Sequence, residues 1–112
     1  FAGICLDNGL CNFLNDDIAE NVHLAKPYLK VLHLHDNKKS ADSHLLPMLG
    51  SINWTAFAKA LADIDFKGVL SLETGEAGAF MDEKTIECYE QLACQTARQL
   101  RDMISDFREQ KK

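Results

Sequence analysis

The sequence predicts an α/β fold of parallel β/α units, three strands alternating with three helices. Three short apolar segments have the length and composition of buried strands: Gly3-Ile4-Cys5-Leu6-Asp7, Val31-Leu32-His33-Leu34-His35 and Val69-Leu70-Ser71-Leu72-Glu73. A stretch with apolar residues at helical spacing follows each of them. Side chains alternate along a strand, so Leu6, Leu32, Leu34, Leu70 and Leu72 fall on one face. Cys5, Asp7, His33, His35, Ser71 and Glu73 fall on the other. Each segment ends in a side chain able to bind a metal.

The elements follow in order. Residues 2–7 read as the first strand, and Asn8-Gly9 breaks it. Asn15-Asp16-Asp17 supplies an N-cap and first-turn acids, with Ile18, Val22 and Ala25 at helical spacing and Pro27 marking the end. Residues 30–35 form the second strand. A long polar loop, Asp36 to Ile52, follows and holds Pro47 and Gly50; loops of this length are often functional. Asn53 caps the second helix, whose apolar stripe is Trp54, Phe57, Leu61 and Ile64. Phe66-Lys67-Gly68 turns into the third strand, residues 69–73, and Gly75 and Gly78 lie in the loop beyond it. The last helix runs from about Asp82 to Phe107, with Ile86, Tyr89, Ala93, Ala97, Leu100, Ile104 and Phe107 on one face. Residues 108–112 are charged and expected to fray.

Parallel sheets are normally covered on both faces. Here one face carries Asp7, His33, His35 and Glu73, which helices cannot simply bury. The interior of a (β/α)8 barrel accommodates such a face, with its reactive groups at the carboxyl-terminal rim. Three strands cannot close a barrel of about eight. Residues 1–112 are therefore expected to be a partial TIM-barrel domain, the last three βα units, with the N-terminal part of the barrel missing. The start at Phe1, without a methionine, fits the same expectation. Completion would come from the missing part or from self-association with another copy.

The 112 residues are 46% hydrophobic and 26% charged, a globular composition for one domain. A formal net charge of −5 favours solubility and gives no help in binding nucleic acid. No apolar run is long enough for a membrane span, and no signal peptide is visible. Cys5, Cys11, Cys88 and Cys94 form no CxxC pair, so free thiols in a reducing cytoplasm are expected.

An Asp ending a strand is commonly a cap, a strand His a hydrogen-bonded core residue, and a Glu before Thr-Gly a solvent-facing one. Together, at one end of one sheet face, Asp7, His35 and Glu73 point instead to a divalent cation site. Mixed oxygen and nitrogen ligation suits manganese, magnesium, cobalt or zinc. Asp42-Ser43-His44, just behind the His-bearing strand, offers a pair for an additional metal ion.

The runs Gly3-Ile4-Cys5-Leu6-Asp7-Asn8-Gly9, His33-Leu34-His35-Asp36-Asn37, Asp42-Ser43-His44-Leu45-Leu46-Pro47, Gly50-Ser51-Ile52-Asn53-Trp54 and Leu72-Glu73-Thr74 resemble the xylose isomerase-like TIM-barrel superfamily. That group contains sugar phosphate isomerases and epimerases and also endonuclease IV. The resemblance covers about residues 3–75. It implies metal-ligand roles for Asp7, His35 and Glu73, and an acid/base role for Glu73. It matches Asp42 and His44 to the pair that binds an extra zinc in endonuclease IV-like members. His33 matches a position that supports a ligand rather than binding the ion. Two departures stand out: Leu10 replaces a His common in the family, and Pro47-Met48-Leu49-Gly50 replaces Pro-Gly-x-Gly. The leading expectation is a metal-dependent sugar or sugar phosphate isomerase or epimerase-like protein, with this chain inactive by itself. The alternatives are an endonuclease IV-like zinc phosphodiesterase and a non-catalytic oligomerising barrel fragment.

Overall fold

The computed structural model describes residues 2–112. Its order is β1 (Ile4–Asp7), α1 (Asn8–Phe13), α2 (Ile18–Ala25), β2 (Leu29–His33), α3 (Trp54–Asp63), a 3-10 helix (Gly75–Gly78) and α4 (Glu83–Gln110). The α/β class and parallel pairing agree with expectation; the count of three strands and three helices does not. β1 and β2 pair in parallel, Cys5 opposite Val31, Leu6 opposite Leu32 and Asp7 opposite His33.

The expected third strand, residues 69–73, is reduced to a single parallel bridge between Leu34 and Leu72. There Leu34 N–H donates to the Ser71 carbonyl at 2.8 Å and Glu73 N–H donates to the Leu34 carbonyl at 2.9 Å. Leu70 and Leu72 pack on the core, but Val69 is 77% exposed. The pairing therefore forms only where the segment leans on buried neighbours.

The fourth α-helix is α1, where the sequence read as a break. Asp7 caps it, its Oδ1 accepting from the Leu10 N–H at 2.8 Å, so Asn8-Gly9 starts a helix immediately. β2 ends at His33 rather than at residue 35, because Asp36 turns to exchange two 2.8 Å backbone bonds with Leu45. The remaining caps fall where expected: Asp17 accepts from Glu20 N–H at 3.0 Å, and Asn53 from Ala56 N–H at 3.0 Å. α4 continues past Phe107 to Gln110 instead of fraying. Arg108 donates to the Phe66 carbonyl, and Lys111 Nζ reaches the Ala62 and Asp63 carbonyls at 3.1 and 3.3 Å. These cations tie the last turn of α4 to the end of α3.

Leu6, Leu32 and Leu34 turn inward and meet Val22, Phe57, Leu61, Leu100 and Ile104 in one core. Helices thus cover one face of the sheet. On the opposite face Cys5, Val31 and Val69 are exposed, below the polar ends of the strands. Among the described residues no helix is long and apolar enough to cross a membrane, and all four cysteines are free thiols.

The polar 36–52 loop is partly buried: residues 38–43 are exposed, but its two ends turn inward. Asp36, Asn37, Leu46, Pro47 and Ile52 are buried in it. The Asp36 carboxylate accepts from Asn37 N–H at 2.8 Å, Ile52 N–H at 3.2 Å and the Trp54 indole at 2.7 Å. A buried carboxylate needs such donors to offset desolvation. Pro47 and Met48 form the corner of a turn closed by Leu49 N–H to the Leu46 carbonyl at 3.2 Å, with Met48 at φ 76°.

Candidate metal centre

His35 is the centre of the site. It leaves the end of β2 fully buried, its N–H donating to Asn8 Oδ1 at 3.1 Å. Gly9 lies against one side of its ring; a Cβ there would collide with the imidazole. The His44 ring stacks on it, with centroids 3.8 Å apart and planes 4° from parallel. The ring is thereby held between α1 and the 36–52 loop. Asn37 Nδ2 donates to the Gly9 carbonyl at 2.8 Å, and Asn12 Nδ2 donates to Asn37 Oδ1 at 2.8 Å. These bonds brace the strand end against the first turn of α1.

The edges of the ring face carboxylates. Asp7 Oδ1 lies 2.8 Å from His35 Nε2, and Asp42 Oδ1 lies 3.8 Å from Nδ1. Neither ring nitrogen makes a hydrogen bond, although both are buried. The Asp7 contact is short but off the direction of a ring N–H, so we read it as proximity rather than as a formed bond. Ligand atoms of Asp7, His35 and Glu73 all lie within 4.8 Å of one another. So do those of His35, Asp42 and His44. His33 Nδ1 stands 3.2 Å from Glu73 Oε1.

His44 adopts φ 49° in the left-handed region, and its Nδ1 lies 2.8 Å from the Glu73 carbonyl. A ring nitrogen facing a carbonyl must carry the proton. Its Nε2 faces Asp42 Oδ2 at 3.4 Å. Burial pulls the His44 pKa down, but the Glu73 carbonyl and the Asp42 and Glu76 carboxylates outweigh it and leave the value raised. Burial also pushes the Cys11 thiol up, against an opposing bond from Asn21, so it is a poor source of thiolate for the site.

Asp7, Asp42 and Glu73 each stand beside an imidazole. Carboxylates close to a buried imidazole with unused nitrogens offer the mixed oxygen and nitrogen donors that a divalent cation takes, and a metal would use lone pairs that otherwise stay buried and unpaired. The residues expected to act as ligands are thus brought together. The bracing residues Asn8, Asn12, Asn37, Asp36 and Trp54 were not legible as such. Trp54 read as part of an apolar stripe. The available signal was its indole N–H, which needs an acceptor when buried.

The model of the xylose isomerase-like TIM barrel matches residues 1–106. The chain belongs to this family. It is 29% identical over 109 residues to the uncharacterized protein y4fM of Sinorhizobium fredii, covering 97% of this chain and 34% of that protein. A crystal structure of a D-tagatose 3-epimerase-like protein superposes with a TM-score of 0.70 at 23% identity, covering 98% of this chain and 37% of that one. The chain therefore spans about a third of the length of either relative, and the second likeness concerns the fold.

Proposed function

We propose that Asp7, His35 and Glu73 hold a divalent cation, and that the site serves proton transfer in a sugar or sugar phosphate isomerase or epimerase. What carries the reading is the convergence of two carboxylates from separate segments on a buried imidazole whose nitrogens lack hydrogen bonds. A D-tagatose 3-epimerase-like protein among the structural relatives supports the substrate class. The cation, when bound, would polarise the substrate carbonyl and its neighbouring hydroxyl.

The protein's own groups do the rest. Asp7, tied through Oδ1 to the Leu10 N–H, is held at the rim by the cap of α1. His33 steadies Glu73 from 3.2 Å. Glu73 takes or returns the proton alpha to the carbonyl. A second acid/base is required on the opposite side of the substrate. We place it in further βα units of the barrel, outside residues 1–112. The exposed face around Cys5, Val31 and Val69 is where those units, or a second copy, would close the interior.

Calorimetric titration with manganese tests the metal reading. Binding of one ion is expected, and Glu73→Gln should weaken it by about tenfold or more. Absence of binding at roughly millimolar manganese would end the reading. In a barrel that includes the remaining units, Glu73→Gln should abolish exchange of the substrate's alpha hydrogen with solvent.

The second reading is an endonuclease IV-like zinc phosphodiesterase. The proximity of Asp42 and His44 to His35 favours it. Leu10 and the net charge of −5 oppose it. Simultaneous binding of two or more zinc ions would raise it above the first.

A further inference from the structure

Half of the chain's cations gather at one end of the molecule. Lys26, Lys30 and Lys67 line one cavity there, and Arg108, Lys111 and Lys112 line a second that shares Asp65 and Lys67 with the first. Among the described residues, Asp65 and Glu109 are the acids that line either cavity. Of 12 cations and 17 acids in all, the rest of the chain carries six cations against fifteen acids, so a positive end stands on a chain of net charge −5. The fold brings this about. Lys26 follows α2 and Lys30 stands near the start of β2, while residues 64–68 lead from α3 toward the Leu72 bridge. These are the amino ends of the strands, opposite the carboxyl ends where Asp7, His33 and Glu73 stand.

The first cavity has a volume of 360 Å³, enough for a small organic molecule. Leu29 and Phe66 form an apolar floor that continues into the core, and Ile64 packs beside them. Gly68 closes on the Phe66 ring; a Cβ there would strike the ring and the Lys30 carbonyl. Asp65 is held by Lys67 at 2.9 Å and by Arg108 at 3.6 Å. The cavity thus has three cations for one acid. A polyol would leave hydroxyl groups unpaired against such a floor, and a metal ion would be repelled by the ammonium groups. An anion with an apolar body meets both surfaces.

We propose that this groove binds a small organic phosphate whose body is apolar or aromatic. The body covers Leu29, Ile64 and Phe66, and the phosphate, close to doubly charged at neutral pH, lies against Lys26, Lys30 and Lys67. Burial of the body gives selectivity over inorganic phosphate, and the ammonium groups give selectivity over the uncharged analogue. The lysines are exposed, so added salt screens them and weakens binding. The amino ends of the strands lie away from the carboxyl-terminal rim, which makes the ligand an effector and not a substrate of that rim. Binding there requires no metal at His35.

Phenyl phosphate, inorganic phosphate, glycerol phosphate and phenol serve as probes, titrated into the protein while NMR follows the Ile64 methyl and Gly68 amide signals. Phenyl phosphate should shift both signals and bind about fivefold or more tighter than any of the other three. Lys26→Gln with Lys67→Gln should weaken it by about fivefold or more, while Lys38→Gln with Lys84→Gln, which removes the same charge elsewhere, should leave it unchanged. All four lysines are exposed, so both pairs should fold as the wild-type protein does. Unmoved Ile64 and Gly68 signals at roughly 10 mM phenyl phosphate would overturn the site. Equal binding of inorganic and phenyl phosphate would overturn the apolar body and leave a counterion site. Equal weakening by the two pairs would trace the effect to net charge and overturn the groove. Shifts of the same signals on diluting the protein, with none on adding phenyl phosphate, would place a second copy there and overturn the proposal.

Discussion

Gly9 illustrates how closely the site is fitted around one ring. Its missing Cβ is the space in which the His35 imidazole sits. Gly9→Ala should force the ring to move and destabilise the protein by about 1–3 kcal/mol, as overpacking of a close-packed site does. Urea unfolding reads the stability, and the same variant should lose manganese affinity in calorimetry. Met48 presents the opposite case. It occupies the corner of the Leu46–Leu49 turn with φ 76°, a conformation that suits Gly. Met48 stands where the resemblance implies Gly, and its backbone is one that Gly adopts without steric cost. Met48→Gly should therefore stabilise by about 1 kcal/mol, set against the greater entropy of Gly in the unfolded chain. A thermal melt showing a lower midpoint for Met48→Gly would contradict this. The candidate ligands Asp7, His35 and Glu73 were legible because each stands at the end of an apolar strand-like run. The glycine's role was not, because the ring it makes room for is 26 positions away in the chain.

At the scale of elements, the caps were readable and the lengths were not. Asp17 and Asn53 begin α2 and α3 as local chemistry predicts. α1 was missed because Asp7 serves both as a candidate ligand and as a helix cap. Between α3 and α2, Asp63 links Lys59 and His23. The Lys59 hydrogen bond, helped by its charge and by His23, outweighs burial and lowers the Asp63 pKa. A carboxylate whose folded pKa lies below its unfolded value stabilises above the unfolded value. That contribution is lost as pH falls through the folded pKa. Asp63→Asn should therefore remove part of the acid-side fall in stability and leave a small loss near neutrality. The pair is partly solvent-exposed, so the effect should be no more than about 1 kcal/mol. Chemical denaturation between pH 7 and the acid limb checks it; identical curves for both proteins would refute the contribution.

The whole molecule has one covered sheet face and one uncovered. The helices bury Leu6, Leu32 and Leu34, while Val31 and Val69 remain exposed opposite them. An apolar sheet face open to water favours association. We expect the chain by itself to associate in a concentration-dependent manner, and Val31→Lys to reduce that association. Sedimentation velocity over a range of concentrations measures this. A monomer at every concentration, unaffected by Val31→Lys, would refute it.

The amino-acid order alone determined the alternation of strand-like and helical segments, the facing of Leu6 and Leu32 away from Asp7 and His33, and the caps at Asp17 and Asn53. Those properties depend on neighbours within a few residues, where backbone geometry and side-chain period act directly. Only the tertiary structure decided that residues 69–73 pair through a single bridge, and that the polar 36–52 loop is partly buried through Asp36 and Asn37. It also decided that both edges of His35 face carboxylates. Each of these depends on partners distant in sequence, and the free energy of pairing or burial exists only once the chain has brought them together.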